Sequence, residues 1–477
     1  MKLDARDRQI LLAVLAFALA LRVGAGLASP NELWPDEVFQ TMEQAHRVAF
    51  GPGIVPWEFR SATRSWLLPG LLAGVMKLGA PLGAGSRGYL GAVAVVLSLL
   101  SLLPIAALYA HVRSRATALA AALAALVLGA WFELVYFAPK ALTEAVAAPL
   151  LLTAVLLDPK RRPLVIGALL GLTCALRVQL VPGALVGALM LGREADRGGR
   201  RALAAGLAAP IVIAGLLDAA TWSYPFQSFV ANVVVNVVQG KSAAFGTAPP
   251  LAYFAAEAQI WSWAALPVIG LAVLGGRRAP AAAAVAIATL VVHAALAHKE
   301  WRFVFPAIAI VIALAGMGVA ELVARGRAPA IAAAALLVAA SAWRGAALRT
   351  EMTSLALKLY PAGPQWSNDR GPLVGLQRFS TDPQICGVGL VGVPWYVTGG
   401  YAWLHRDVPI FEIRRTADIP ARAEAVNALL VRDGTQEKIG AFARGECWQG
   451  ACAYVREGGC TPVAGYSLNA VLVGRGE

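Results

Sequence analysis

His298-Lys299-Glu300-Trp301-Arg302 runs directly into Phe303-Val304-Phe305-Pro306-Ala307-Ile308-Ala309-Ile310-Val311-Ile312-Ala313-Leu314-Ala315-Gly316-Met317-Gly318-Val319-Ala320-Glu321-Leu322-Val323, and then into Ala324-Arg325-Gly326-Arg327. At about 1.5 Å per residue the apolar part is long enough to cross a hydrocarbon core of about 30 Å. Its two ends differ. One carries a dense ionic cluster with a tryptophan, the other a pair of arginines. Arginines flanking a span orient that end toward the cytoplasm. The stretch therefore predicts a membrane protein whose ionic cluster lies at the outer face.

The rest of the 477-residue chain repeats the pattern. Hydrophobic residues make up 58% and charged residues 14%, where a soluble domain carries about 25% charged. That excludes a soluble enzyme and a disordered chain. Apolar runs predict about 11 transmembrane helices, near 9–27, 88–110, 117–137, 141–157, 163–177, 179–192, 202–218, 259–275, 281–297, 303–323 and 329–346. The first run lacks a clean small-residue cleavage pattern, so it reads as a span rather than a removable signal. As one helix 163–192 would be about 45 Å long. Arg177, Gln179 and Pro182 interrupt it, and it is read as two short spans. The stretch 66–82, with Pro69, Lys77 and Pro81, reads as an interfacial or re-entrant helix.

The formal charge is +13. In a soluble protein this would suggest nucleic acid. Here the segments expected inside are 1–8, 111–116, 158–162, 193–201, 276–280 and 324–328, and together they hold 16 basic and five acidic residues, Lys2 among the basic ones. Most of the excess is thus an orientation signal, and no nucleic-acid partner is expected. The outer regions are 28–65, 219–258, the short junction 298–302 and everything after 348. This divides the chain into a transmembrane catalytic domain, 1–348, and a small extracytoplasmic α/β domain, 349–477. In the latter, 385–392 and 426–431 read as strands. Cys386, Cys447, Cys452 and Cys460 there suggest one or two disulfides, with a zinc site as the rival reading.

The chemistry-bearing residues cluster on the outer side. The first outer loop reads Pro35-Asp36-Glu37-Val38-Phe39-Gln40, with a helix expected from about Glu37 to Phe50. Acids at a helix start complement its dipole, which is the structural reading of Asp36 and Glu37. A carboxylate pair on the same face as His298, Lys299, Glu300 and Arg302 also suits chemistry on a phosphate-bearing lipid: cations bind the phosphate and a carboxylate activates a hydroxyl. Arg22, Glu133, Lys140, Glu144, Arg177 and Asp218 lie within or beside spans, where ionisable groups are costly and are functional candidates. Gly167 and Gly171 have the spacing of helix packing.

Pro35-Asp36-Glu37-Val38-Phe39-Gln40, with Glu43, Ala45-His46, Phe50-Gly51-Pro52-Gly53, Trp57-Glu58-Phe59-Arg60 and Arg64-Ser65, resembles the first luminal loop of the Alg9-like mannosyltransferases, glycosyltransferase family 22. His298-Lys299-Glu300-Trp301-Arg302-Phe303 is similar to that family's HKEERF signature, with Trp301 in place of the second glutamate. The resemblance implies a GT-C fold and an inverting mannosyl transfer on the outer face. The donor would be polyprenyl-phosphate-mannose and the acceptor a glycan or glycolipid, with no cofactor and no metal. Within it Asp36 is the expected general base, assisted by Glu37, and His298, Lys299 and Arg302 hold the donor phosphate. Gln40, Trp57, Arg64, Glu144, Arg177 and Glu300 are the remaining candidates for substrate binding. The expected location is a bacterial inner or plasma membrane with a periplasmic active site. The rival readings are a GT-C enzyme for another lipid-linked sugar and a lipid-sugar flippase or transporter.

Overall fold

The computed structural model describes residues 3–32, 34–355, 363–432, 434 and 436–477; Lys2 lies outside them. Two compact units emerge: residues 1–26 with 95–364, and residues 27–94 with 365–477. The chain therefore does not divide at 348. The first large loop, expected to belong with the spans, groups with the tail because its side chains complete the tail's core.

Unit one is helical. Among the described residues six helices are long and apolar enough to cross a membrane: Ala5–Ala28, Arg87–Arg113, Arg197–Thr221, Ala252–Gly276, Trp301–Leu322 and Arg327–Ala346. Shorter apolar helices stand at 118–130, 143–156, 163–176 and 280–295. The Trp301–Leu322 helix is hydrophobic all round, and 94% of its most apolar window is buried, as expected of a core helix enclosed by others. Glycines let its neighbours reach it: a Cβ on Gly275 would lie 2.0 Å from the Leu314 carbonyl oxygen, and one on Gly318 2.1 Å from that of Leu271. The same device joins Pro163–Leu176 to Arg197–Thr221, where Gly167 and Gly171 leave room for the carbonyls of Leu203 and Leu207.

The expected division of 163–192 is present. The chain leaves the helix at Arg177 (φ −148°, ψ 105°) and restarts with Val181–Glu194, whose first turn holds Pro182. Another expectation is corrected: 117–137 is not one helix. Trp131 is extended, so Ala118–Ala130 and Phe132–Phe137 are separate, and Ser341 Oγ accepts the freed Phe132 N–H at 2.8 Å.

Unit two is an α/β domain with a six-stranded sheet: β1 Val388–Val391, β2 Ile410–Ile413, β3 Ala428–Arg432, β4 Lys438–Ile439, β5 Phe442–Trp448 and β6 Ala451–Val455. The order is β2-β1-β3-β6-β5-β4, with β1, β2 and β3 parallel and the rest antiparallel. β1 and the first four residues of β3 are buried, which explains their unalternating apolar sequences. The cysteines pair as Cys386–Cys460 and Cys447–Cys452, the two-disulfide alternative; Cys174 is free and buried.

The first loop forms a helical stretch, Pro35–Glu37, Val38–Met42 and Glu43–Phe50, whose middle turn is a π-helix. Val38, Phe39 and Ile54 enter the sheet's core beside Leu376, Leu390 and Trp395. Buried Glu43 fastens the join: its carboxylate accepts the N–H groups of Ile54 (2.7 Å), Tyr401 (3.0 Å) and Ala402 (2.7 Å). Leu67–Gly79, the helix expected at 66–82, packs against Glu43–Phe50.

Candidate functional site

The expected site residues fall into two groups, one in each unit. In unit two, Pro35 opens the helical stretch at its first position, where its missing N–H costs nothing. Asp36 and Glu37 follow, both half-exposed. Arg64 brings a guanidinium nitrogen within 3.9 Å of Asp36 Oδ2. Gln40 Nε2 donates to Glu58 Oε1 at 2.9 Å. Glu58 is buried, and burial together with the charge of Asp36 pushes its carboxyl up to about 7, against the pull of Arg64. Asp36, Gln40, Glu58 and Arg64 are thus one cluster. The π-turn, Val38–Met42, carries Gln40 of this cluster, and such single-turn insertions are frequent at functional sites. Trp57 is half-buried at the start of the Trp57–Arg60 turn. Glu58 was not among the expected site residues. Its signal was present, an acid between Trp57 and Phe59 in an apolar setting, but its neighbour Asp36 is 22 positions away.

A second group in the same unit surrounds His46. Its Nδ1 donates to the Pro52 carbonyl (2.8 Å) and its Nε2 lies 3.0 Å from His405 Nδ1. Burial holds His46 down to about 4, so the ring is neutral and His405 donates to it.

In unit one the expected residues form an ionic network. Glu144 meets Arg177 at 2.8 Å and Arg302 at 3.9 Å. Arg302 Nε donates to Glu300 Oε2 at 2.5 Å, and Glu300 Oε1 takes His298 Nε2 at 2.9 Å. His298 Nδ1 donates to the Gly246 carbonyl at 2.8 Å. Burial opposes charge on His298 most strongly, but the hydrogen bond and the charge of Glu300, together with the bond to the Gly246 carbonyl, outweigh it and raise the imidazole above its usual value. Lys299 is buried, donates to the Leu296 carbonyl and stands 5.9 Å from the Tyr253 ring; burial lowers it. Phe303 faces the guanidinium groups of both Arg177 (4.9 Å) and Arg302 (5.0 Å). Glu144 and Arg177, ranked behind the His298–Arg302 motif in the sequence, are therefore part of the same network. Cations outnumber carboxylates in it, which suits an anionic group.

Trp301 turns away from this network. Its indole N–H lies 3.2 Å from Glu133 Oε1 and 3.0 Å from Glu257 Oε1, while Trp131 and Trp261 each donate to Glu133 Oε2 at 2.7 Å. Glu257 was missed, although it is the single acid in the apolar stretch 252–276. Three other intramembrane candidates have structural partners. Arg22 donates to Ser101 Oγ and to the carbonyls of Ala18 and Gly129. Asp218 accepts the N–H and hydroxyl of Ser228, and Lys140 lies over the Tyr136 ring. Among the described residues no group of three or more His, Cys, Asp or Glu is arranged to hold a metal ion.

The sequence pattern of the Alg9-like mannosyltransferase family matches residues 10–362. GPI mannosyltransferase 3 of Yarrowia lipolytica is 25% identical over 440 residues, covering 88% of this chain and 80% of that one. Mannosyltransferase APTG1 of Arabidopsis thaliana is 42% identical over a 65-residue stretch, 14% of this chain and 12% of that protein. Among solved structures, ArnT of Cupriavidus metallidurans bound to undecaprenyl phosphate superposes with a TM-score of 0.58 at 13% identity, over 95% of this chain and 99% of that one. At that identity the likeness speaks to fold alone, and the fold is GT-C. The chain is a multi-pass membrane glycosyltransferase, and it belongs to the Alg9-like mannosyltransferase family.

Proposed function

We propose that the enzyme transfers mannose from a polyprenyl-phosphate-linked donor to a glycan or glycolipid acceptor at the outer membrane face, with inversion and without a metal. The observation that carries this reading is the buried, cation-rich network of His298, Arg302 and Arg177 around Glu300 and Glu144. Such a group stabilises the negative charge that grows on a departing phosphate. ArnT, which shares the fold, was solved bound to undecaprenyl phosphate, and this supports the same carrier chemistry here. The Yarrowia relative is a GPI mannosyltransferase, which supports a glycolipid acceptor. Asp36 serves as general base. It is half-exposed, whereas its neighbour Glu58 is buried. Direct attack by the activated acceptor hydroxyl, opposite the leaving phosphate, inverts the anomeric carbon.

The test is transfer by the purified full-length enzyme from polyprenyl-phosphate-mannose, set against nucleotide-mannose, to a membrane glycolipid extract. Product is expected only with the lipid donor, with and without EDTA. Asp36→Asn is expected to cut the rate about 10²–10⁴-fold, the usual worth of a general base, with expression unchanged. Near-normal turnover in that variant removes Asp36 from the base role. Unchanged donor KM in Arg302→Ala removes Arg302 from phosphate binding.

A further inference from the structure

A pocket of about 690 Å³ opens in unit two between segment 51–55, which follows the Asp36-bearing helical stretch, and segments 407–409 and 460–469 beside the parallel strands. Its size lies in the usual range for small-molecule sites. Its walls are fixed. Asn469 clamps the loop by accepting the Val55 N–H (2.8 Å) and donating to the Gly53 carbonyl (3.1 Å). Tyr466 stacks on Phe411 at 3.9 Å and donates to the Ile410 carbonyl. Tyr401 donates to the Val408 carbonyl, and the Cys386–Cys460 disulfide forms part of the lining.

The lining chemistry narrows the ligand. Arg47 and Asp407 supply hydrogen-bonding groups, and Tyr401 and Tyr466, their hydroxyls held by backbone carbonyls, supply ring surface. One cation and one anion balance, so the site is not built for a phosphate. It is polar and open, so it is not built for an acyl chain. Arg47 lies 11 residues after Asp36 on the helical stretch 35–50, roughly 16 Å along the axis, a distance a short chain of sugars covers. We propose that this pocket is a distal subsite for a neutral oligosaccharide, holding the part of the acceptor remote from the hydroxyl that is glycosylated. The inference rests on the transferase reading given above.

The experiment is saturation-transfer NMR on the full-length protein in lipid nanodiscs with mannotriose, maltotriose and chitotriose. Exposed Thr461 and Asp407 line the pocket, so Thr461→Trp fills it and Asp407→Ala removes a polar partner without touching the core. At least one trisaccharide is expected to give a signal that falls fivefold or more in both variants, survives in Asp36→Asn, and is not displaced by inorganic phosphate. Absence of signal from all three sugars, an unchanged signal in both variants, or displacement by phosphate overturns the proposal. Sugar binding without mannosyl transfer from the lipid-linked donor overturns the donor and acceptor proposed above and leaves the pocket standing. Transfer with unaltered sugar binding in the variants does the reverse.

Discussion

Glu58 and His46 are buried ionisable side chains of one unit whose burial acts on stability with opposite signs. Glu58 moves from 4.5 to about 7 on folding. The folded state therefore holds its proton more tightly, and the stability this gives is complete below about 4.5 and lost as pH rises through 7. His46 moves from 6.5 to about 4, so its contribution is complete above 6.5 and lost as pH falls toward 4. Glu58→Gln is expected to remove the first slope alone. The parent-minus-variant stability should fall by on the order of 3 kcal/mol between pH 4.5 and 7, read by thermal unfolding in detergent at each pH. Glu43→Ala leaves the buried N–H groups of Ile54, Tyr401 and Ala402 without their acceptor. It is expected to cost about 3 kcal/mol or more, seen as a lowered unfolding midpoint with donor affinity retained. The sequence drew attention to Asp36, Glu144, Arg177 and the His298–Arg302 motif because their charge is unusual where it stands. It left Glu43 without a role, because two of its three partners are backbone groups 358 and 359 positions away with no side-chain signature.

Helices were the most legible elements, since an apolar run of spanning length has few other fates in a membrane. The interruption at Arg177 and the glycine-spaced contact of Gly167 and Gly171 could be read directly. The break at Trp131 could not: it is neither glycine nor proline, and the Phe132 N–H it frees is taken by Ser341, 209 positions further on. The contact itself can be tested. A side chain at Gly171 would meet the Leu207 carbonyl oxygen, 2.3 Å from the new Cβ. Gly171→Leu must push the Pro163–Leu176 and Arg197–Thr221 helices apart, at about 1–3 kcal/mol or more. Gly192→Ala, where no atom lies within 4 Å of a new Cβ, is expected to be neutral. Detergent-resistance titration of both variants measures the difference.

At the level of the molecule, the two disulfides close loops of very different size, with sequence separations of 74 and 5. The chain-entropy account gives roughly 4 kcal/mol for the first and roughly 2 for the second. Replacing Cys386 and Cys460 together by serine is thus expected to lower the unfolding midpoint more than replacing Cys447 and Cys452. The native cysteines are paired or buried, which leaves the surface clear for reporters. Arg60→Cys and Ser223→Cys should react with a membrane-impermeant maleimide from outside, and Arg161→Cys only after permeabilisation. Reaction of Arg161→Cys from outside would invert the charge-based topology. The cysteine count pointed to covalent closure but not to its partners, and the composition of the tail gave no hint that residues 27–94 complete its core. That discontinuity has a consequence for synthesis. The segment ending at Ala94 is made about 270 residues before Gln365, where the rest of its unit begins. At typical ribosomal speeds the delay is on the order of tens of seconds. Throughout it Phe39 and Ile54 lack the apolar partners that the tail supplies, and Glu43 lacks two of its donors. The packing of the loop is therefore completed only when the tail arrives, after every intervening helix has been made.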